Sequence, residues 1–163
     1  MELPTDQLSI LYRVLIAIVL AGIVGYEREH LHKPAGLRTN MIIGGAACLI
    51  ASITPPLILF IENIGSKDVV STDPIRLLQA LVVGVSFIGA GTIIKNSDEK
   101  ISGLTTAATL LFSMGIGVAV AVEQYIVAVG ITLIVLIVNV LVRRLTYKLP
   151  LPNDESHNPG DED

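Results

Sequence analysis

Long stretches without a charged side chain separate the polar segments of this sequence. Charged residues make up 16% of the chain, compared with about 25% in average soluble proteins. A helix needs about 20 mostly apolar residues to cross a bilayer, and several of the stretches are near that length. Hydrocarbon offers no partner for backbone N–H and C=O groups, so a chain that crosses it is expected to be helical there. The sequence therefore predicts an all-α integral membrane protein.

About five transmembrane helices are predicted, within a transmembrane domain 1–148 that is followed by an acidic, disordered cytoplasmic tail, 149–163. The apolar runs are too long, and alternate too little, to be strands of a β-barrel. Pro55 and Pro56 fall inside the second span, where they either kink the helix or end it. The predicted spans are 9–26, 38–60, 74–94, 102–121 and 124–142.

The placement of lysine and arginine predicts the orientation in the membrane, because cytoplasmic segments carry an excess of these residues. With the N-terminus outside and the C-terminus in the cytoplasm, only three basic residues lie on the outer side, namely Arg13, Lys67 and Arg76. The reverse orientation would place the basic clusters outside. The eight inner residues are Arg28, Lys33, Arg38, Lys95, Lys100, Arg143, Arg144 and Lys148.

Charged and polar residues are concentrated at the inner end of span one and at the start of span two. In one interpretation, Glu27 or Glu29 forms an ion pair with Arg38 that joins the two helices. In the other, the cluster is a cytoplasm-facing site for a cation, an anion or a partner. The start of span two also offers free N–H groups and a positive dipole end. The members of this candidate functional cluster are Glu27, Arg28, Glu29, Arg38, Thr39 and Asn40.

A short internal similarity links two parts of the chain. Residues 36–39 open span two with Gly-Leu-Arg-Thr, and residues 103–106 open span four with Gly-Leu-Thr-Thr. We interpret spans one to four as two parallel helical hairpins, related by an axis along the membrane normal, to which span five is added. The second candidate segment is either a close helix contact or a locally unwound, ion-coordinating stretch, and it comprises Gly89, Ala90, Gly91, Thr105 and Thr106.

Two polar side chains are predicted within the membrane. Arg13 either extends towards the outer surface or pairs with Glu62 or Glu123 near the outer ends of other spans. Asn139 needs a partner in lipid, so we expect it to point into the helix bundle or to a second subunit. The many small residues of span four indicate close helix packing, within one chain or across a homodimer.

The sequence lacks the short motifs that are typical of common enzymes and metal sites. The sequence contains no Walker-type loop, HExxH, CxxC or GxSxG pattern, and its single cysteine, Cys48, cannot form an intramolecular disulfide. The basic residues follow membrane topology rather than a pattern that would bind nucleic acid. We therefore predict a protein that is not an enzyme, needs no cofactor and binds no nucleic acid, and we assign no metal ligands.

Several linked motifs resemble the MgtC/SapB family. They are Gly25-x-Glu27-Arg28, residues 35–40, Phe87-Ile88-Gly89-Ala90-Gly91, residues 103–110, Gly115-Ile116-Gly117 and Asn139-x-Leu141-x-Arg143. The resemblance implies a multi-pass protein of the bacterial inner (plasma) membrane. Characterised relatives are linked to growth in low magnesium and to survival inside macrophages. At least one member restrains the membrane ATP synthase. The family was once suspected of aiding magnesium import.

The resemblance and the helix patterns together predict a non-enzymatic regulator or accessory factor in magnesium or cation homeostasis, or in membrane energetics. It would act through helix contacts with a membrane complex, such as the ATP synthase or a cation transporter. The alternative is a small oligomeric ion transporter or channel. A homo-oligomer, and in particular a dimer, is expected. The best-known members also carry a soluble C-terminal domain, so functions of that domain are not expected here.

Overall fold

A computed structural model describes residues 3–64, 74–95 and 101–148. It contains five helices, and this confirms the predicted all-α class. Three of them include spans that are long and apolar enough to cross a membrane, Gln7–His30, Leu37–Ile61 and Leu104–Ala121, and two shorter apolar helices cover Ile75–Gly91 and Tyr125–Leu141. The helices are α1 (Leu3–His30), α2 (Leu37–Ile64), α3 (Pro74–Gly91), α4 (Leu104–Ala121) and α5 (Tyr125–Lys148).

A short two-stranded ribbon joins α3 to α4 and corrects two predicted span boundaries. The strands are β1 (Ile94–Lys95) and β2 (Ile101–Ser102), which pair antiparallel. Span three was predicted to continue to residue 94 and span four to begin at residue 102, and both limits are wrong. The isoleucines are β-branched and favour extended structure, while Gly103, with a φ of 92°, separates the ribbon from α4.

The paired prolines lie within α2 and do not end it. Pro55 and Pro56 have no amide hydrogen, so the carbonyls four residues earlier lose their usual helical donors. The helix nevertheless continues to Ile64. Of the two alternatives that the sequence left open, the one in which the helix ends at the prolines is wrong.

The centre of the bundle is a close packing of α1, α2 and α4. A Cβ placed on Gly117 of α4 would lie 2.1 Å from the carbonyl oxygen of Gly44 on α2. A Cβ on Gly44 would in turn lie 2.5 Å from the Cβ of Ala21 on α1. The backbones therefore approach one another directly, as small residues allow in membrane helices. Helix α5 packs on α4 and α1, whereas α3 packs on α4 and touches α2 only slightly.

The two predicted hairpins have equivalent contacts. A Cβ on Gly25 would lie 2.9 Å from the Cβ of Asn40, and a Cβ on Gly89 would lie 3.1 Å from the Cβ of Ala107. Asn40 and Ala107 occupy the same position relative to the glycine that precedes each second helix. This equivalence supports the interpretation of spans one to four as two similar hairpins in the same orientation.

Candidate functional site

Polar side chains from four helices meet at one end of the bundle, where α1 ends and where α2 and α4 begin. Helix α1 contributes the charged residues of its last turns, and α5 reaches the same end in its second half. We call this group the polar cluster. Its members are Glu27, Arg28, Glu29, Asn40, Thr106, Ser113 and Asn139.

Arg28 lies at the centre of the polar cluster and is almost completely buried, with 3% of its surface exposed. Its Nη2 donates a hydrogen bond of 2.6 Å to Oγ1 of Thr106, in the first turn of α4. Its Nε is buried and has no hydrogen-bond partner. Within the described ranges, no carboxylate forms an ion pair with this guanidinium. Burial of this charge is costly, and the nearby charge of Glu27 offsets the desolvation only in part.

The two glutamates that flank Arg28 in sequence form hydrogen bonds with other groups and not with Arg28. Oε2 of Glu27 accepts a hydrogen bond of 2.9 Å from Nδ2 of Asn139, which connects α1 to α5. Of the two alternatives predicted for Asn139, the bundle or a second subunit, its side chain takes a partner within the bundle. Oε2 of Glu29 accepts a hydrogen bond of 2.8 Å from the backbone N–H of Leu37, the first residue of α2. A carboxylate is favourable there, because a helix N-terminus is positive.

The predicted ion pair between Arg38 and Glu27 or Glu29 is wrong. Arg38 is exposed, and in the part of the chain that the structure covers it makes no ion pair. Glu29 instead joins α1 to α2 by its hydrogen bond to the N-terminus of α2. The carboxylate fits there because residue 36 is a glycine: a Cβ on Gly36 would lie 2.9 Å from Oε2 of Glu29. Thr39, also predicted in the cluster, is partly buried.

Asn40 is fully buried and connects α2 to α4. Its Nδ2 donates to the carbonyl oxygens of Ala35 and Gly36, at 2.8 and 2.9 Å, and its Oδ1 accepts from Oγ of Ser113 at 2.7 Å. Ser113 was not among the predicted site residues. The available signal was its spacing, since Ser113 lies seven residues after Thr106 and therefore shares a helix face with it.

We expect the Asn40–Ser113 hydrogen bond to stabilise the bundle measurably. A double-mutant cycle with Asn40→Ala and Ser113→Ala should give a coupling free energy of about 0.6 to 1.7 kcal/mol, the range found for hydrogen bonds between membrane helices. The measurement is the free energy of unfolding in mixed detergent micelles. Ser86→Ala on an exposed face of α3 is the matched control. Additive effects of the two substitutions would contradict this prediction.

The segment Gly89-Ala90-Gly91 is helical and forms the end of α3. Gly89 faces Ala107 of α4 closely, which favours the helix-contact interpretation, and the interpretation of this segment as unwound is wrong. No atom would lie within 4 Å of a Cβ on Gly91. Thr105 is exposed, and its carbonyl oxygen accepts a hydrogen bond of 2.8 Å from Oγ1 of Thr109.

Arg13 lies at the opposite end of the bundle, and one of its two predicted partners is confirmed. Its guanidinium forms an ion pair with Glu123 through Nη2 and Oε1, and its Nη1 donates to the carbonyl oxygen of Ala121 at 3.1 Å. The side chain of Glu62, the other predicted partner, lies outside the described residues. Arg13 thus connects α1 to the C-terminus of α4, where carbonyl groups favour a positive charge.

An open groove runs between α3 and α5, with α4 as its floor. Its volume is about 410 Å³, and its lining is almost entirely apolar. Gly115 contributes to the floor, and a Cβ on this glycine would have no other atom within 4 Å. We call this surface the α3–α5 groove. It is lined by Leu78, Val82, Met114, Gly115, Val118, Ala119, Val122, Gln124, Val127 and Ile131.

The chain is similar to several curated bacterial proteins. It is 34% identical to Protein SapB of Bacillus subtilis over 129 residues, which are 79% of this chain and 54% of that protein. It is 34% identical to Protein MgtC of Salmonella typhimurium over 138 residues, 83% of this chain and 53% of that protein. It is 33% identical to "Putative magnesium transporter YhiD" of Escherichia coli over 137 residues, 84% of this chain and 62% of that protein.

This chain spans little more than half the length of these relatives. No solved structure matches it. The sequence model of the MgtC family matches residues 14–148, a range that includes both the polar cluster and the α3–α5 groove. This membrane protein therefore belongs to the MgtC family.

Proposed function

We propose that this chain is a non-enzymatic regulator or accessory factor in magnesium homeostasis or membrane energetics, which acts by helix contact with another membrane complex. The observation that carries the proposal is the α3–α5 groove, an apolar surface that no helix in the described part of the chain covers. The names of the relatives MgtC and YhiD support the connection with magnesium.

The occupant that fits the α3–α5 groove best is a transmembrane helix of a partner. Gly115 and Ala119 are one helical turn apart and both line the groove, so they form a small-xxx-small pattern on its floor. Such a pattern lets a second helix backbone approach closely. Leu78 of α3 and Ile131 of α5 form the two walls. The subunits of the ATP synthase and cation transporters offer transmembrane helices of this kind and are the candidate partners.

The proposed location is the bacterial inner membrane, with the N-terminus outside and the C-terminus in the cytoplasm. In this orientation the polar cluster faces the cytoplasm, and the Arg13–Glu123 pair lies near the outer surface. The basic residues Arg28, Arg38 and Arg144 then lie on the inner side, as the positive-inside rule requires. The homodimer stays a prediction and is an alternative occupant of the groove.

The second candidate function is a small oligomeric transporter. The name of the relative YhiD, a putative magnesium transporter, favours it, as do the polar residues inside the bundle. Beyond Ser113, however, Ile116 and Val120 are fully buried, and the backbones of Gly44 and Gly117 are in contact. The two buried hydroxyls in that region, those of Ser52 and Thr132, bond within their own helices. A polar path would therefore have to form between subunits, and for this reason we favour the regulator.

A photo-crosslinking amino acid at Val118, in the α3–α5 groove, tests the proposal in native membranes. We expect an adduct with one subunit of a membrane complex, identified by mass spectrometry. The matched probe is Ile126 of α5, which is 91% exposed and lies outside the groove. Gly115→Trp should fill the groove, abolish the adduct and reduce growth in low magnesium, whereas Phe112→Trp, at an exposed position of the same helix, should do neither.

Four results would contradict the proposed function. Equal adducts from Val118 and Ile126, or adducts with lipid alone, would mean that the groove binds no specific helix. An adduct of twice the chain mass would identify the groove as a homodimer interface instead. Magnesium flux through proteoliposomes that contain only the purified chain would favour the transporter.

A further inference from the structure

The guanidinium of Arg28 has donors that the described protein does not use. Its one hydrogen bond runs from Nη2 to Thr106, and the buried Nε has no acceptor. The neighbouring carboxylates are engaged elsewhere, Glu27 with Asn139 and Glu29 with the N-terminus of α2. An arginine that is 3% exposed thus has a free donor at a position where removal from water is costly, and the nearby charge of Glu27 offsets that cost only in part.

The same guanidinium lies at the N-terminus of α4, where the described residues provide no side-chain cap. Gly103 is the N-cap residue and has no side chain that could accept a hydrogen bond. The N–H groups of the first turn, Leu104 to Thr106, have no acceptor within the helix. Helix α4 is 18 residues long, so its positive dipole end is fully developed. The hydroxyl of Thr106 accepts from Arg28 and keeps its own hydrogen to donate.

From this arrangement we infer that Arg28 and the N-terminus of α4 bind one phosphate-type oxyanion. Guanidinium forks and helix N-termini are both preferred phosphate-binding groups. The tetrahedral oxygens of a phosphate can meet the guanidinium and the first turn of α4 at the same time, whereas the two oxygens of a carboxylate lie in one plane. The site is independent of the α3–α5 groove and of the proposed function.

Two sources of the oxyanion share this chemistry. Arg28 lies two residues before the end of the apolar span Gln7–His30, and therefore at the depth of the lipid headgroups. The phosphate of an anionic phospholipid is one source, and free inorganic phosphate is the other. The experiment below distinguishes them by offering each separately.

The test measures ligand binding by the purified full chain in a neutral detergent. Phosphatidylglycerol is added in one arm and followed by native mass spectrometry. Inorganic phosphate is added in the other and followed by thermal unfolding, with chloride at equal ionic strength as reference. We expect one bound oxyanion per chain. Arg28→Lys keeps the charge but removes the planar guanidinium with its paired N–H donors, and it should weaken binding roughly tenfold. Arg38→Gln, which removes an exposed arginine at the same membrane end, should leave binding unchanged.

Each outcome decides for or against the site. Retention of phosphatidylglycerol that Arg28→Lys weakens and Arg38→Gln does not would support a lipid headgroup, and the same pattern with phosphate would support the free ion. No binding by the wild-type chain in either arm would overturn the inference, and so would equal binding by the two variants. Thr106→Val leaves the arginine in place and should also weaken binding, so the test does not depend on a single substitution.

Discussion

Substitution of Gly117 by alanine is expected to disrupt the centre of the bundle. The added Cβ would lie 2.1 Å from the carbonyl oxygen of Gly44, an atom of the backbone that cannot rotate away. Helices α2 and α4 would have to separate, and the close packing between them would be lost. We expect a loss of about 3 kcal/mol in the free energy of unfolding, measured by denaturation in mixed detergent micelles.

Gly115→Ala is the matched control for this prediction. It makes the same chemical change on the same helix, but no atom would lie within 4 Å of the new Cβ. We expect its effect to stay within about 0.5 kcal/mol, as for substitutions away from close contacts. If both variants lost similar stability, the intrinsic cost of changing these glycines would be the cause, and the close approach of α2 and α4 would be refuted.

Gly103→Ala is expected to have an effect of similar size for a different reason. Gly103 has a φ of 92°, and a Cβ on it would lie 2.0 Å from the carbonyl oxygen of Thr92. A left-handed conformation costs an L-residue about 1–2 kcal/mol, and the clash adds to that cost. The junction of the ribbon and α4 would have to rearrange, and we expect a clear decrease in the midpoint of thermal unfolding in detergent.

Gly84→Ala serves as the comparison for Gly103→Ala. Gly84 lies within α3, and a Cβ there would have no other atom within 4 Å. We expect this variant to keep its unfolding midpoint or to raise it, because alanine favours the helical conformation more than glycine does. An unchanged midpoint for Gly103→Ala would show that the start of α4 can adopt another conformation at little cost.

The helices, and the need of their polar side chains for partners, could be predicted from the sequence, because lipid leaves few choices. Apolar runs of sufficient length must be helical, and a polar group such as Asn139 or Arg13 must find a partner. The ends of α3 and α4 could not be predicted, since the ribbon depends on pairing between two segments of only two residues each. Local composition did not distinguish this pairing from a continued helix.

The choice between Arg28 and Arg38 as the buried arginine depended on how each helix is rotated. Both residues lie at the same end of the membrane, and hydropathy treats them alike. Arg28 continues a line of buried residues, Ala21 and Val24, along the face of α1 that packs on the bundle. That spacing of three and four residues was present in the sequence. The sequence did not show that Thr106 lies beside Arg28, because that depends on how α4 packs against α1.

Helix α1 is tied to α4 at both ends by arginine side chains, Arg13 to the carbonyl of Ala121 and Arg28 to Thr106. The two ties are the same number of residues apart on each helix, about 22 Å along the axis. Antiparallel helices held at two such points cannot slide lengthwise without breaking both links. A conformational change that keeps both links is therefore restricted to tilting or outward displacement of the other helices. Helix α3 has the greatest freedom to move, because it packs mainly on α4.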